Sequence, residues 1–251
     1  MLRAQTRDES SMADNAPNPF HGLSHKELMA LAEKIGTGMA VLTVASGSIG
    51  AGKSTLASHF AIQAQRAGVE SVVMADTAAR GELAAWWNRR SGDKPALSSL
   101  GGAARVSEAL DRLREMKHKL CVVNTPPLLD EKVEQLLEIS DLVVIPCRPS
   151  RRDLPKADQV AEISHMLGRK CVFVVSAATI GGRMSEAIAV ELAKHGTVSP
   201  VTVHRRRDFM EATAQGKTVM ELDPRSESAR EMERLWEYVY DLLKKNIKFN
   251  I

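Results

Sequence analysis

The chain has 251 residues, 44% of them hydrophobic and 26% charged, with a formal net charge of +3. That length buries a sizeable core and suits one large α/β domain, and the composition excludes a largely disordered protein. A charge this small carries no argument for nucleic-acid binding, which must rest instead on where basic residues cluster.

In chain order, residues 1–22 are polar, contain Asn15-Ala16-Pro17-Asn18-Pro19, and read as a mobile leader. Ser24 with Glu27 three residues on makes a capping-box pattern, which predicts a short amphipathic helix to about Ile35, ended by Gly36. Leu28, Leu31 and Ile35 give that helix one apolar stripe, which either docks on the main domain or serves as a partner-binding arm. The expected division is a leader and helix over 1–38, a single domain over 39–245 and a tail over 246–251.

From residue 39 the pattern alternates short apolar runs with helical segments, the signature of βαβ units on a parallel sheet. The strand candidates are Ala40 to Ala45, Ser71 to Ala75, Leu120 to Asn124, Leu142 to Ile145, Cys171 to Val175 and, weakly, Val198 to Val203. Helices are expected near Lys53 to Ala67, Gly81 to Arg89, Arg105 to Lys117, Glu131 to Ile139, Leu154 to Leu167, Arg183 to His195, Asp208 to Gln215 and Ser226 to Lys245. In the last of these Met232, Leu235, Trp236, Val239, Leu242 and Leu243 recur at helical spacing, so Trp236 reads as core.

Between the first strand and first helix lies Gly47-Ser48-Ile49-Gly50-Ala51-Gly52-Lys53-Ser54, followed by Thr55. The pattern G-x-x-x-x-G-K-[ST] between a strand and a helix predicts a phosphate-binding loop. Backbone N–H groups of Gly47, Ser48, Gly50, Ala51, Gly52 and the helix start at Lys53, Ser54 and Thr55 would surround the phosphates. Lys53 would reach the β/γ oxygens, and the Ser54 hydroxyl would ligand Mg²⁺. Cys121, Cys147 and Cys171 lie in apolar runs without C-x-x-C spacing and read as buried thiols of a reducing compartment. No apolar stretch approaches ~18 residues, so no membrane partner is expected and the location expected is cytoplasmic.

Further segments carry a resemblance. Val72-Val73-Met74-Ala75-Asp76-Thr77 is followed by Gly81 and Trp86-Trp87; then come Val122-Val123-Asn124-Thr125-Pro126-Pro127 and Asp141-Leu142-Val143-Val144-Ile145-Pro146 with Pro149-Ser150-Arg151-Arg152-Asp153-Leu154. Last are Arg206-Arg207-Asp208-Phe209, Glu211-Ala212, Gly216, Thr218-Val219 and Asp223-Pro224 with Ala229. With the phosphate loop, these blocks resemble the ParA/MinD family of P-loop ATPases, specifically the small ParA-type proteins without a separate DNA-binding domain, over roughly residues 39–243. The resemblance implies the P-loop NTPase fold, α/β with a mostly parallel twisted sheet and helices on both faces. It also implies ATP and Mg²⁺ as cofactors, an ATP-dependent homodimer, non-specific binding to nucleoid DNA, and a centromere-binding or cargo-linked adaptor protein.

The departures from the family pattern concern the reaction. The signature lysine of the family's K-G-G-x-G-K-T-T loop, which reaches the partner subunit's nucleotide, aligns with Ser48, and Ile49 follows where glycine is usual. The aspartate of D-x-D-P-Q, thought to act on the attacking water, aligns with Ala78, and P-Q becomes Ala79-Arg80. The Walker B aspartate aligns with Asn124, which would serve Mg²⁺ through water without adding charge. Alanine at 78 cannot orient or deprotonate water, and lost cations at the phosphates weaken transition-state stabilisation, so no catalytic residue is assigned and hydrolysis is expected to be slow or absent. Arg151 or Arg152, and less so Arg80, are candidates to replace the missing cation, against the reading of solvated loop arginines.

For DNA the resemblance points to the C-terminal half, where Arg205, Arg206 and Arg207 fall with Arg225, Arg230, Lys244, Lys245 and Lys248; such binding would be phosphate-directed and salt-sensitive. Interspersed acids, among them Asp208, Glu211, Glu231 and Glu237, leave open a mixed-charge solvated face. His204 reads as structural, Arg183, Glu186 and Glu191 as helical surface charge, and Asp141 and Asp153 as helix-terminating caps. Two functions stand: a ParA-like protein for DNA partition or cargo positioning with weak hydrolysis, and a non-hydrolysing pseudo-ATPase scaffold that binds a partner protein. A small-molecule P-loop kinase fits poorly, for want of a lid segment of clustered arginines.

Overall fold

The computed structural model describes residues 38–78, 81–99 and 106–249. The expected leader and the helix from Ser24, together with Ala79 and Arg80, lie outside the described residues. Seven strands form one sheet: β1 (Ala40–Val44), β2 (Val72–Asp76), β3 (Ala96–Ser99), β4 (Leu120–Asn124), β5 (Leu142–Cys147), β6 (Cys171–Val175) and β7 (Thr197–Val198). All pairings are parallel, in the order β3-β2-β4-β1-β5-β6-β7. The helices are α1 (Lys53–Arg66), α2 (Glu82–Trp87), α3 (Val106–Glu115), α4 (Glu131–Glu138), α5 (Leu154–Met166), α6 (Arg183–Leu192), α7 (Arg207–Ala214), α8 (Val219–Leu222) and α9 (Glu227–Phe249).

The continuous apolar runs of β1, β4, β5 and β6 follow from burial on both faces. Side chains alternate across the sheet, so parallel register sorts them by parity. Leu42, Val44, Met74, Val122, Val144 and Val174 meet α1 and α9, through Leu56, Phe60, Met232, Leu235 and Trp236. The odd positions face the other layer: Val143, Ile145 and Phe173 meet Val160 and Ile188 of α5 and α6, and Val41, Val73 and Val123 meet Leu110 and Leu136 of α3 and α4. Trp236 is buried, stacked on Tyr240 at 5.1 Å and tilted against Phe60 at 6.1 Å, as expected for a core residue.

Four features differ from the sequence reading. β3 pairs with β2 although Ala96–Ser99 has no β-branched residue. Of the weak strand expected over Val198 to Val203 only Val198 pairs, in a two-residue strand begun by Thr197, because Pro200 has no N–H to offer; after it the chain regains the sheet edge where Val203 N–H donates to Val175 O at 2.9 Å. Helix α8 arises from a capping box, in which Thr218 and Glu221 satisfy each other's backbone N–H groups. Helix α9 runs on to Phe249, past the boundary expected at 245.

The C-terminal layer is pinned to α1 and α2. His59 Nδ1 donates to Thr55 O at 2.7 Å, leaving Nε2 to accept from Val219 N–H at 3.1 Å, and burial lowers the His59 pKa to about 4, so the ring is neutral. Trp86 Nε1 donates to Lys217 O at 2.9 Å, and Arg90 makes a bidentate pair with Glu221 while lying 4.9 Å over the Trp86 ring. The three cysteines are free and buried; burial pushes the thiols of Cys121 and Cys147 up to about 12 and that of Cys171 to about 11, so they are inert.

Candidate functional site

The residues after β1 turn across the carboxyl ends of β4, β1, β5 and β6. Gly50 has φ +73° and Gly52, which starts α1, has φ +97°, a left-handed backbone that suits glycine. Ser176, after β6, donates to Ala51 O at 2.7 Å and fixes the loop from one side. Because Gly52 opens α1 without a side-chain cap, the first N–H groups of the helix stay free for an anion.

Lys53 is buried and donates to Ser48 O at 3.0 Å. Burial, with Arg148 nearby, lowers its pKa to about 8 against the opposing pull of Glu82. An arriving polyphosphate favours the charged amine, so above pH 8 binding must take up a proton. Affinity for ATP is therefore expected to hold below about pH 8 and to fall by up to about tenfold per pH unit above it. Titration calorimetry at pH 8.5 in buffers of different ionisation enthalpy reads this directly; zero proton uptake would contradict it.

Ser48, where the family's lysine would stand, donates from Oγ to Asp153 Oδ1 at 3.0 Å. The same carboxylate holds Arg148 through Nε at 2.5 Å and Nη2 at 3.1 Å. Burial alone would raise the Asp153 pKa, but the bonds from Arg148 and Ser48 outweigh it and hold the carboxyl below its usual range. Asp153 thus occupies the first position before α5 without capping it. Asp141, also read as a helix cap, accepts from Val41 N–H at 2.7 Å and fastens β5 to β1.

The guanidinium brought to the loop is that of Arg148: a Cβ on Gly50 would lie 3.4 Å from its Nη1. Arg151 and Arg152 are exposed on the following turn, and only Arg152 joins Arg148 in lining a cavity of about 560 Å³. Arg183, exposed at the start of α6, and Arg205 line the same cavity. Among the described residues Arg152, Arg183 and Arg205 have no carboxylate partner.

On the other side of the loop, a cavity of about 310 Å³ is lined by Lys53, Ser54, Ala78, Glu82, Asn124 and Thr125, with exposed Ile49 and Leu128 at its rim. Asn124 is fully buried; its Nδ2 donates to Asp76 Oδ1 at 3.0 Å and to Ser54 Oγ at 3.3 Å, and its Oδ1 has no partner. Asp76 also accepts from Ala78 N–H and Ala84 N–H, at 3.2 and 3.0 Å. The donor set fits Mg²⁺: a P-loop hydroxyl, an orphaned buried amide oxygen and carboxylate oxygen from Glu82, all hard ligands. Mg²⁺ bound there would neutralise phosphate charge, with Ser54 and Asn124 holding it.

A third cavity, of about 730 Å³, joins Gly50, Gly52 and Thr55 to Ser176, Phe209 and the Arg205–Arg207 run. Arg205, Arg206 and Arg207 all line this cavity, with different partners. Arg206 turns inward, paired at 2.7 Å with Glu231, which also takes His204 Nδ1 at 2.8 Å. Arg207 pairs with Glu211 at 2.8 Å, and Lys244 with Asp241 at 2.8 Å; Lys245 is exposed beside a separate hollow at Ser140 and Gly168.

An all-parallel sheet whose central strand runs through a glycine loop into a helix defines a P-loop NTPase fold. No family model matches the chain, and no curated protein matches it in sequence. Solved structures do match. The septum site-determining protein MinD of Pyrococcus horikoshii OT3, complexed with Mg-ADP, has a TM-score of 0.67 at 15% identity, over 83% of this chain and 99% of that one. A complex of a Cyanothece McdA variant with ATP has a TM-score of 0.63 at 16% identity, over 82% and 96%. A Borrelia burgdorferi B31 protein assigned to plasmid partition, bound to AMPPNP, has a TM-score of 0.65 at 15% identity, over 81% and 99%. Within the P-loop class, the fold is that of the MinD/ParA ATPases.

Proposed function

We propose that the protein is a ParA-like, nucleotide-binding positioning protein that dimerises around ATP and Mg²⁺ on non-specific DNA of the nucleoid and hydrolyses ATP slowly. Its cargo would be a DNA region or protein assembly reached through an adaptor. The observation that carries this reading is the complete phosphate cradle of residues 47–55, with Lys53 buried beneath it and Arg148 at its edge. Arg148, although paired with Asp153, lies against the loop and would supply the cation that Ser48 lacks, a part for which the sequence offers Arg151 or Arg152. Arg152, Arg183 and Arg205, without a carboxylate partner among the described residues, would be the main DNA-facing charges, while Arg206 and Arg207 pair with Glu231 and Glu211. Solved neighbours support the nucleotide, being complexes with Mg-ADP, ATP and AMPPNP, and the MinC:MinD complex of Aquifex aeolicus supports a protein partner. No described helix is long and apolar enough to cross a membrane.

Anisotropy titrations with ATP and with random-sequence duplex DNA, across a salt series, test both parts. ATP affinity is expected to fall about tenfold in Arg148→Ala, the loss of one charge-assisted bond. DNA affinity should weaken with salt at a slope of about −0.9 per phosphate contacted, and drop at least about tenfold when Arg152, Arg183 and Arg205 become Glu. Tight ATP binding without DNA binding would favour the second reading, a pseudo-ATPase scaffold, which the uncharged positions Ala78 and Asn124 in the cavity support.

A further inference from the structure

We propose that Glu82 is the carboxylate of the Mg²⁺ site at the P-loop, restoring the charge that Ala78 and Asn124 do not supply. The inference rests on the nucleotide-binding reading above and names the residue on which metal-dependent binding turns.

Glu82 opens α2 immediately after Gly81, whose φ of +59° turns the chain back over the carboxyl end of β2. The turn is fixed from below by Asp76, which accepts from Ala84 N–H. From this turn the exposed Glu82 side chain reaches the loop, and its Oε2 accepts from the Ser54 hydroxyl at 3.4 Å. Ligand oxygens at adjacent corners of an octahedral Mg²⁺ site, each about 2.1 Å from the ion, lie roughly 3 Å apart. The two oxygens therefore stand within a few tenths of an ångström of the spacing that one ion requires.

Other carboxylates are spoken for. Asp76 is engaged by Ala78 N–H, Ala84 N–H and Asn124 Nδ2 and does not line the cavity, and Glu82 is the only carboxylate among the described residues that does. The Oδ1 of fully buried Asn124, without a hydrogen-bond partner among the described residues, is a second, independent sign of an absent donor. A water on the ion is a donor of the right kind. No salt bridge among the described residues includes Glu82, whose charge acts on the Lys53 amine only at longer range, so direct pairing does not account for its position.

The test is the Mg²⁺ dependence of binding, with a fluorescent non-hydrolysable ATP analogue titrated in EDTA and at graded free Mg²⁺, and Mn²⁺ followed by electron paramagnetic resonance. In Glu82→Gln the Mg²⁺ midpoint should move at least about tenfold higher and the bound Mn²⁺ signal should weaken correspondingly, while affinity in EDTA stays the same or tightens. Glu82→Asp should fall between. A Gln variant with its midpoint within twofold of the native chain would overturn the assignment while leaving nucleotide binding intact. Equal weakening in EDTA and in Mg²⁺ would also overturn it, because removing a negative charge cannot weaken metal-free binding to a polyanion through the metal. Absence of binding by the native chain under every condition would instead sink the underlying nucleotide reading.

Discussion

Ala78→Asp is expected to raise ATP turnover by about 10²-fold or more, the usual contribution of a positioned general base. The backbone at 78 is already set: its N–H donates to Asp76 Oδ1 at 3.2 Å, and the residue faces the cavity that holds Lys53, Ser54 and Asn124. What the native chain lacks there is a group able to orient water, while the cradle for the phosphates is intact. The substitution adds that group without moving the loop, so the gain should appear in kcat with ATP affinity little changed. Phosphate release, measured with and without duplex DNA, reads it. Turnover equal to the native chain would show that position 78 does not set the slow step.

The second large effect is on stability. Gly216 has φ +64°, and a Cβ there would stand 2.5 Å from the carbonyl carbon of Arg89 and 2.6 Å from its oxygen. Gly216→Ala therefore adds a backbone collision to the cost of about 1–2 kcal/mol for a left-handed non-glycine residue. Relief requires parting the end of α2 from the 216–221 segment, which strains Trp86 on Lys217 and Arg90 on Glu221. The expected loss is at least about 3 kcal/mol, or roughly 6–12 °C in Tm for a domain of this size. Gly68 supplies the control: its φ is +87°, but a Cβ there meets nothing within 4 Å, so Gly68→Ala should cost only about 1–2 kcal/mol. Urea denaturation of the pair would distinguish collision from backbone strain; equal losses would refute the collision.

Much of the fold is legible in the residues themselves. The strands β1, β4, β5 and β6 are β-branched runs buried on both faces, and the P-loop is a contiguous motif whose neighbours in sequence are its neighbours in space. What local pattern does not carry is whatever the sheet order creates. Glu82 meets Ser54 across 28 residues of sequence and Asp153 meets Ser48 across 105, and no local pattern announces either pair. The sequence points to Arg151 and Arg152, three and four residues beyond Arg148, as the cations of the loop. The strand end abuts the loop, however, and the turn that follows carries the later residues into solvent. Arg205, Arg206 and Arg207 line one cavity, but the pairing of Arg206 with Glu231, 25 residues further on, is announced by no local pattern.

Helix α9 closes the same face of the sheet as α1, with Met232, Leu235, Trp236, Val239 and Leu243 fully or almost fully buried against strands made far earlier in the chain. Because β1, β4, β5 and α1 all precede α9 in the chain, they can pack together before it does, and until it docks the outer side of Phe60 and the neighbouring apolar residues stays open to water. A chain caught in that interval, rather than the folded domain, is the species most exposed to aggregation.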